Sequence, residues 1–168
     1  MNTSSSASPL LELIESQPFF KGLNEQQLRS LSTLATEMHF EPGRYIFREG
    51  EPANRFYLIV KGKATLETEA AELGVIPIRT LGPGNDLGWD WLFAPFSFHA
   101  SARAIEPTRT IYFYGTGLRQ QCEDDPYLGY EIMKRIAAVT VQSFIAIEKR
   151  LVECDQRGDR SWRGNSDT

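Results

Sequence analysis

The sequence predicts an α+β domain, a β-roll (a double-stranded jelly roll) flanked by N-terminal helices and one long C-terminal helix. Three observations support this fold. Apolar and polar residues alternate between Met38 and Tyr114, in short runs bounded by Gly, Pro or Asn. Glycines stand at the ends of these runs, where they allow the tight turns of a roll. A helical pattern then runs from about residue 126 to 152.

The chain before the strands divides into a polar segment and two short helices. Residues 1–8 are small and polar, and we expect them to be disordered. Leu10–Ile14 can begin a short helix, and Asn24 is placed to cap a second one. The apolar face of this second helix would carry Leu28, Leu31, Leu34 and Ala35.

The predicted C-terminal helix has two apolar stripes. Pro126 suits its first turn, and Asp124 and Asp125 precede its positive end. One stripe has the spacing of a coiled-coil seam, which predicts a parallel homodimer, while in the alternative both stripes pack on their own domain. The predicted dimer residues are Met133, Ala137, Thr140, Phe144, Ile147 and Leu151. The domain would then span residues 9–152, with a flexible tail over 153–168.

Composition narrows the class of protein. The formal net charge of −4 and the pI near 5.3 argue against a general nucleic-acid binder. The two cysteines, Cys122 and Cys154, lie far apart, as is typical of inert thiols in a reducing compartment. Since the sequence has neither a secretory signal nor an apolar stretch long enough to span a bilayer, we expect a cytoplasmic protein without a membrane partner.

Three glycine-punctuated segments carry a family resemblance: Glu41–Gly50, Phe56–Gly62 and Leu81–Gly88. Their pattern resembles the cyclic-nucleotide-binding domain of the catabolite activator protein superfamily, over roughly residues 19 to 151. The resemblance implies a pocket between the roll and the long helix. The polar residues after Leu151 lack the two amphipathic helices of a helix-turn-helix, so we expect a stand-alone module that does not bind DNA by that route.

The residues that the family uses to hold a nucleotide are replaced here. In the family, a Phe-Gly-Glu-Leu-Ala-Leu segment provides a Glu for the ribose, and a Pro-Arg-x-Ala-Thr/Ser segment provides an Arg for the phosphate. Alignment puts Trp89 at the Glu position and Phe98 at the Arg position, and only Gly88, Ala100 and Ser101 fit the pattern. Hydrogen bonds to charged groups contribute about 1.5–3 kcal/mol each, so cyclic-nucleotide binding is disfavoured.

An aromatic cluster occupies this region and consists of Trp89, Trp91, Phe93, Phe96 and Phe98. It has two interpretations. It forms a pocket for an apolar or aromatic ligand, or its rings fill a collapsed cavity. Asp90 would either reach a ligand hydroxyl or cap the short turn. Arg103 would either face a negative ligand, as His99 would, or lie outward on the surface. The predicted ligand-binding residues are Gly88, Trp89, Asp90, Trp91, Phe98, His99, Ala100, Ser101 and, from the long helix, Ser143.

No catalytic or metal-binding motif is visible, and His39 and His99 are the only histidines. A haem held by His99, Met133 or Cys122 is disfavoured, because a lone histidine beside aromatic rings is more often a packed side chain. We therefore predict a non-catalytic regulatory module that binds an unidentified small molecule and signals to a partner protein. The alternatives are a ligand-free dimeric adaptor and an atypical cyclic AMP or cyclic GMP receptor.

Overall fold

A computed structural model describes residues 8–156. The chain forms two compact units, one up to Glu131 and one from Ile132 onward. Its helices are α1 (Pro9–Glu15), α2 (Glu25–Ser32), α3 (Gly115–Asp124) and α4 (Pro126–Gln156), with 3₁₀ turns at Pro18–Phe20 and Trp89–Leu92. We call the second of these the site turn.

Eight antiparallel strands form two four-stranded sheets. The strands are β1 (Ala35–Phe40), β2 (Tyr45–Phe47), β3 (Arg55–Lys61), β4 (Ala64–Ala70), β5 (Gly74–Leu81), β6 (Asp86–Leu87), β7 (Ser101–Ala104) and β8 (Thr108–Tyr114). One sheet has the order β1-β8-β3-β6 and the other β2-β7-β4-β5. With the N-terminal helices and the long α4, this architecture confirms the predicted α+β jelly roll.

The capping of α2 follows the sequence signal. The Asn24 side chain accepts a hydrogen bond from the Gln27 backbone, and the Gln27 side chain accepts one from the Asn24 backbone. The helix is shorter than its apolar pattern suggested. It ends at Ser32, and Ala35, predicted on its apolar face, instead begins β1 opposite Phe113.

The core of the roll lies between the inner faces of the two sheets. Because side chains alternate across a strand, every second residue of each strand points inward. Ala102 and Ala104 of β7 are buried by this alternation, and Phe98 and Ala100 are buried in the segment that precedes β7. The buried inner cluster contains Ile46, Phe47, Ala53, Tyr57, Ile59, Ala64, Leu81, Leu87, Phe98, Ala102 and Tyr112.

The C-terminal half differs from the prediction in two respects. The ten-residue α3, which the sequence did not predict, precedes α4. Helix α4 runs to Gln156, so residues 153–156, predicted as tail, are helical. The remaining tail and residues 1–7 lie outside the described residues. Within residues 8–156, no helix is long and apolar enough to cross a membrane.

Candidate functional site

The site turn begins at a glycine with a left-handed backbone. Strand β6 pairs with β3, with Leu87 opposite Tyr57, and brings the chain to Gly88 at the edge of the core. Gly88 caps the turn at φ 77°. A Cβ at this position would lie 2.8 Å from the Phe98 ring, so both the backbone angle and the available space require glycine.

Phe98, which the sequence analysis aligned with the family's arginine, is a core residue. Its backbone pairs with the segment before β3: Phe98 N–H donates to the Glu51 carbonyl, and Gly50 N–H donates to the Phe98 carbonyl. Its ring is 4% exposed and stacks on Phe47 at 3.9 Å between centroids. An apolar ring therefore fills the place that the family resemblance assigned to a guanidinium.

The predicted ligand-binding residues near β7 divide between two faces. Phe98 and Ala100 point into the core, whereas His99 and Ser101 point to the other side. The Ser101 hydroxyl accepts a hydrogen bond from the Glu49 backbone at 2.9 Å. The Phe98 ring is therefore buried, whereas the His99 side chain is 47% exposed.

Asp90 and His99 join the site turn to the segment that precedes β7. Oδ1 of Asp90 lies 2.6 Å from Nδ1 of His99 and also accepts the His99 backbone N–H at 3.3 Å. This hydrogen bond, together with the nearby Glu49 charge, raises the pKa of His99 above its ordinary value. The second oxygen of Asp90, Oδ2, is buried without a protein hydrogen-bond partner.

The two tryptophans of the turn occupy different environments. Trp89 is half-buried, and its ring lies 4.9 Å from the His99 imidazole. Trp91 is fully buried against Phe56, and its indole nitrogen has no hydrogen-bond partner. The Trp91 carbonyl accepts a hydrogen bond from Nη1 of Arg119 at 2.5 Å. This bond ties the site turn to α3, a link that the sequence analysis did not anticipate.

Arg103, for which the sequence left two interpretations, pairs with a buried carboxylate. Its guanidinium makes two hydrogen bonds to Glu67, at 3.0 and 2.8 Å, and Glu67 is only 2% exposed. The hydrogen bond to Arg103 holds the pKa of Glu67 below its usual value. Arg103 therefore has a structural partner and is not free to bind a ligand. Glu67 and Arg103 lie on the face of β4 and β7 that is opposite to the inward Ala64 and Ala102.

The remaining predicted residues lie on helices. The half-buried Cys122 thiol has its pKa raised by burial to about 11, so it is protonated at neutral pH. In α4, the Ser143 hydroxyl donates to the Val139 carbonyl, and the Thr140 hydroxyl donates to the Ile136 carbonyl. Among the predicted dimer residues, the exposed ones are Met133, Ala137, Thr140, Phe144 and Ile147. The Leu151 side chain lies outside the described part of the chain.

Sequence comparison identifies one family and several regulatory relatives. The profile of the family described as "Cyclic nucleotide-binding domain" matches residues 37–125, more than half of the chain. The "CRP-like cAMP-activated global transcriptional regulator" of Mycobacterium tuberculosis is 25% identical over 126 residues, covering 75% of this chain and 56% of that protein. "Cyclic nucleotide-gated ion channel 1" of Arabidopsis thaliana is 29% identical over 102 residues, or 60% of this chain and 14% of the channel. The chain thus spans little more than half of the regulator.

Solved structures share the fold. A putative cyclic nucleotide-binding protein from Geobacter metallireducens superimposes with a TM-score of 0.71 and 27% identity, over 79% of this chain and 96% of that one. The regulatory subunit of a cAMP-independent protein kinase A from Trypanosoma brucei gives a TM-score of 0.70 over 85% of this chain and 50% of that one. At 18% identity, this second likeness concerns the fold alone.

Proposed function

We propose that this chain, which belongs to the cyclic nucleotide-binding domain family, has a phenylalanine at the family's phosphate position and is a regulatory module for a different small molecule. In this proposal it is non-catalytic, cytoplasmic and homodimeric, and it signals through α4 to a partner protein. The small number of cysteines supports a reducing, cytoplasmic compartment. The family membership and the regulatory relatives support the role.

The single observation that carries the proposal is the placement of Phe98. A cyclic phosphate needs a guanidinium and several N–H donors once it leaves water. Phe98 offers neither, and its ring is closely stacked on Phe47 and packed over Gly88. Trp89, aligned with the family's ribose-binding Glu, packs at a tilt against His99 and brings no carboxylate. These contacts oppose binding of a cyclic nucleotide in the manner of the family.

The site turn supplies a route for a signal. A ligand with an N–H or O–H group would satisfy Oδ2 of Asp90, whose burial without a partner costs about 1–3 kcal/mol. Any shift of the turn changes the bond from Arg119 to the Trp91 carbonyl, and therefore acts on α3. Helix α3 ends at Asp124, two residues before α4 begins. In the proposal, this short connection passes the change to α4.

The apolar residues of α4 support a homodimer. Met133, Phe144 and Ile147 follow the coiled-coil spacing and are 41%, 61% and 50% exposed. Exposed side chains of this size are usually covered by a partner. We propose that the same stripe of a second copy covers them, and that a further protein recognises the dimer.

A ligand-free dimeric adaptor is the second candidate. The burial of Phe98 and its stacking on Phe47 favour it, since both fill the interior of the roll. In this alternative, α4 and the dimer carry the whole function, and no small molecule moves the site turn.

Thermal unfolding and calorimetric titration with cyclic AMP and cyclic GMP test the proposal. We expect no stabilisation and no heat of binding at millimolar nucleotide, whereas a ligand at 100 times its Kd adds about 2.7 kcal/mol. The M. tuberculosis regulator, described as cAMP-activated, serves as the positive control. Stabilisation by cyclic AMP would contradict the proposal and favour the atypical receptor.

A panel of small aromatic and lipid-like compounds then separates the sensor from the adaptor. A stabilising compound should also change amide hydrogen exchange in α3 and α4, and Arg119→Gln should weaken the change in α4 while leaving binding intact. Binding without any change in α3 or α4 would contradict the signalling route.

A further inference from the structure

A chain of aromatic side chains in contact runs from the buried Phe98 to the protein surface. Successive ring centroids lie 3.9 Å apart for Phe98 and Phe47, 5.8 Å for Phe47 and Tyr57, 5.7 Å for Tyr57 and Tyr112, and 5.3 Å for Tyr112 and Tyr114. Tyr57 and Tyr112 are buried, whereas Tyr114 is 46% exposed. The chain of rings therefore opens to solvent at the ends of β3 and β8.

Arg55 lies at this open end. Its guanidinium carbon is 4.7 Å from the centroid of the Tyr112 ring and 5.8 Å from that of Tyr114. The side chain is half-buried, and its Nε is buried without a hydrogen-bond partner. A contact with the Tyr57 phenol raises the pKa of Arg55, so the guanidinium remains charged wherever the protein is folded.

Arg55 differs from Arg103 and Arg109 in its partners. Arg103 and Arg109 each make two hydrogen bonds to a glutamate, Glu67 and Glu37 respectively. Within residues 8–156, Arg55 makes no ion pair with a carboxylate. A half-buried cation without an anion is costly, because it loses hydration without regaining a full set of partners.

The chemistry of this cluster suits one class of ligand. A guanidinium presents a planar set of N–H donors that matches a carboxylate or phosphate. The Tyr112 hydroxyl donates to the Tyr114 oxygen at 3.2 Å, which leaves the Tyr114 O–H as a donor, and both rings add flat aromatic surface. The nearby Glu51 carboxylate already accepts the Arg48 backbone N–H. In an aromatic ligand with an anionic group, the anion would meet the Arg55 guanidinium and the ring would meet the tyrosine side chains.

We propose that Arg55, Tyr112 and Tyr114 form a binding site for a small aromatic carboxylate. The carboxylate of the ligand contacts the Arg55 guanidinium. The aromatic ring of the ligand packs against Tyr114, the last ring of the chain. The cation that is lacking at Phe98 is thus supplied from β3, whose Arg55 backbone carbonyl would lie 3.2 Å from a Cβ on Gly88. The proposal rests on the proposed function in one respect, that the roll takes a small-molecule ligand.

Fluorine NMR titration with 4-fluorobenzoate tests the site, with neutral 4-fluorobenzamide and inorganic phosphate as comparison probes. We expect saturable binding of the benzoate, and binding at least about tenfold weaker for the other two probes. Arg55→Gln should weaken benzoate binding by about tenfold or more. Arg48→Gln is the matched control, because Arg48 is exposed and its guanidinium likewise lies over a tyrosine ring, that of Tyr45, at 3.8 Å.

Several results would overturn the proposal: no binding of benzoate to the wild type, equal binding of benzoate and benzamide, equal binding of phosphate, or equal losses in the two glutamine variants. If Arg55→Gln does not fold, Arg55→Lys is titrated with 4-fluorobenzoate instead. An affinity equal to that of the wild type would also overturn the proposal. The cyclic AMP titration is independent of these results. Failure of benzoate binding leaves the proposed function standing, while stabilisation by cyclic AMP contradicts it whatever Arg55 binds.

Discussion

Gly88 and Phe98 are in contact such that neither position accepts a larger group. A Cβ on Gly88 would lie 2.8 Å from Cε1 of Phe98 and 3.4 Å from the Phe47 ring. Phe98 in turn is held by backbone pairing with Gly50 and Glu51 and cannot easily retreat. The start of the site turn is therefore locked against the aromatic core of the roll.

Gly88→Ala should destabilise the protein more than Gly43→Ala. Both glycines have positive φ angles, 77° and 85°, so each substitution costs about 1–2 kcal/mol in backbone conformation. Only Gly88→Ala also forces a clash, since nothing lies within 4 Å of a Cβ on Gly43. Overpacking adds about 1–3 kcal/mol. Urea unfolding of the two variants measures the difference, and equal losses would show that Phe98 gives way freely.

Phe98→Ala should cost about 3–5 kcal/mol, the range for a phenylalanine removed from a packed core. Phe93→Ala is the matched control, because Phe93 belongs to the same aromatic cluster but is 48% exposed. We expect the control to cost less than about 1 kcal/mol. Chemical unfolding of both variants tests this. Similar losses of unfolding free energy in the two variants would mean that Phe98 is not part of the core. The family's phosphate position would then be available to a ligand.

The sequence predicted most of the fold but less of the site. Alternating strands, the Asn24 cap and the Pro126 helix start depend on local spacing, which a single sequence contains. Phe98 and His99, which the prediction grouped as ligand-binding residues, lie in the irregular segment before β7, where Phe98 is buried and His99 is exposed. The links from Glu67 to Arg103 and from Arg119 to Trp91 depend on strand order and helix placement. Contacts between residues that are far apart in the chain leave no pattern in a local stretch of sequence.

Breaking the pair between Arg103 and Glu67 should cost about 1.5–3 kcal/mol, the range for hydrogen bonds to a charged group. Arg103→Gln leaves the Glu67 carboxylate, which is 2% exposed, without its bidentate partner. Arg109→Gln breaks a pair of similar geometry with Glu37, whose side chain is 32% exposed. Because exposed ion pairs contribute little, we expect the second loss to stay below about 1 kcal/mol. If Arg103→Gln and Arg109→Gln lose the same free energy of unfolding in urea, the burial of Glu67 does not strengthen its pair with Arg103.

The stability of the protein should decrease as pH rises through the titration of His99. The Asp90 hydrogen bond raises the folded-state pKa of His99 above the unfolded value near 6.5. The folded state therefore binds the proton more tightly, and the stabilisation is fully present below the unfolded pKa. It is lost as pH rises through the folded pKa. The free energy of unfolding of the wild type should fall more steeply above pH 6.5 than that of His99→Gln.

Urea unfolding of the wild type, His99→Gln and His39→Gln between pH 6 and 9 measures this effect. His39 is the matched control, because it is the only other histidine and its side chain is 69% exposed. The imidazole proton resonances of His99 should titrate above the ordinary histidine value. Since Glu49 and Asp90 are the charged groups that act on His99, Asp90→Asn should return its pKa toward the ordinary value. A His99→Gln slope equal to that of the wild type would show that the bond from Asp90 to His99 does not contribute to stability.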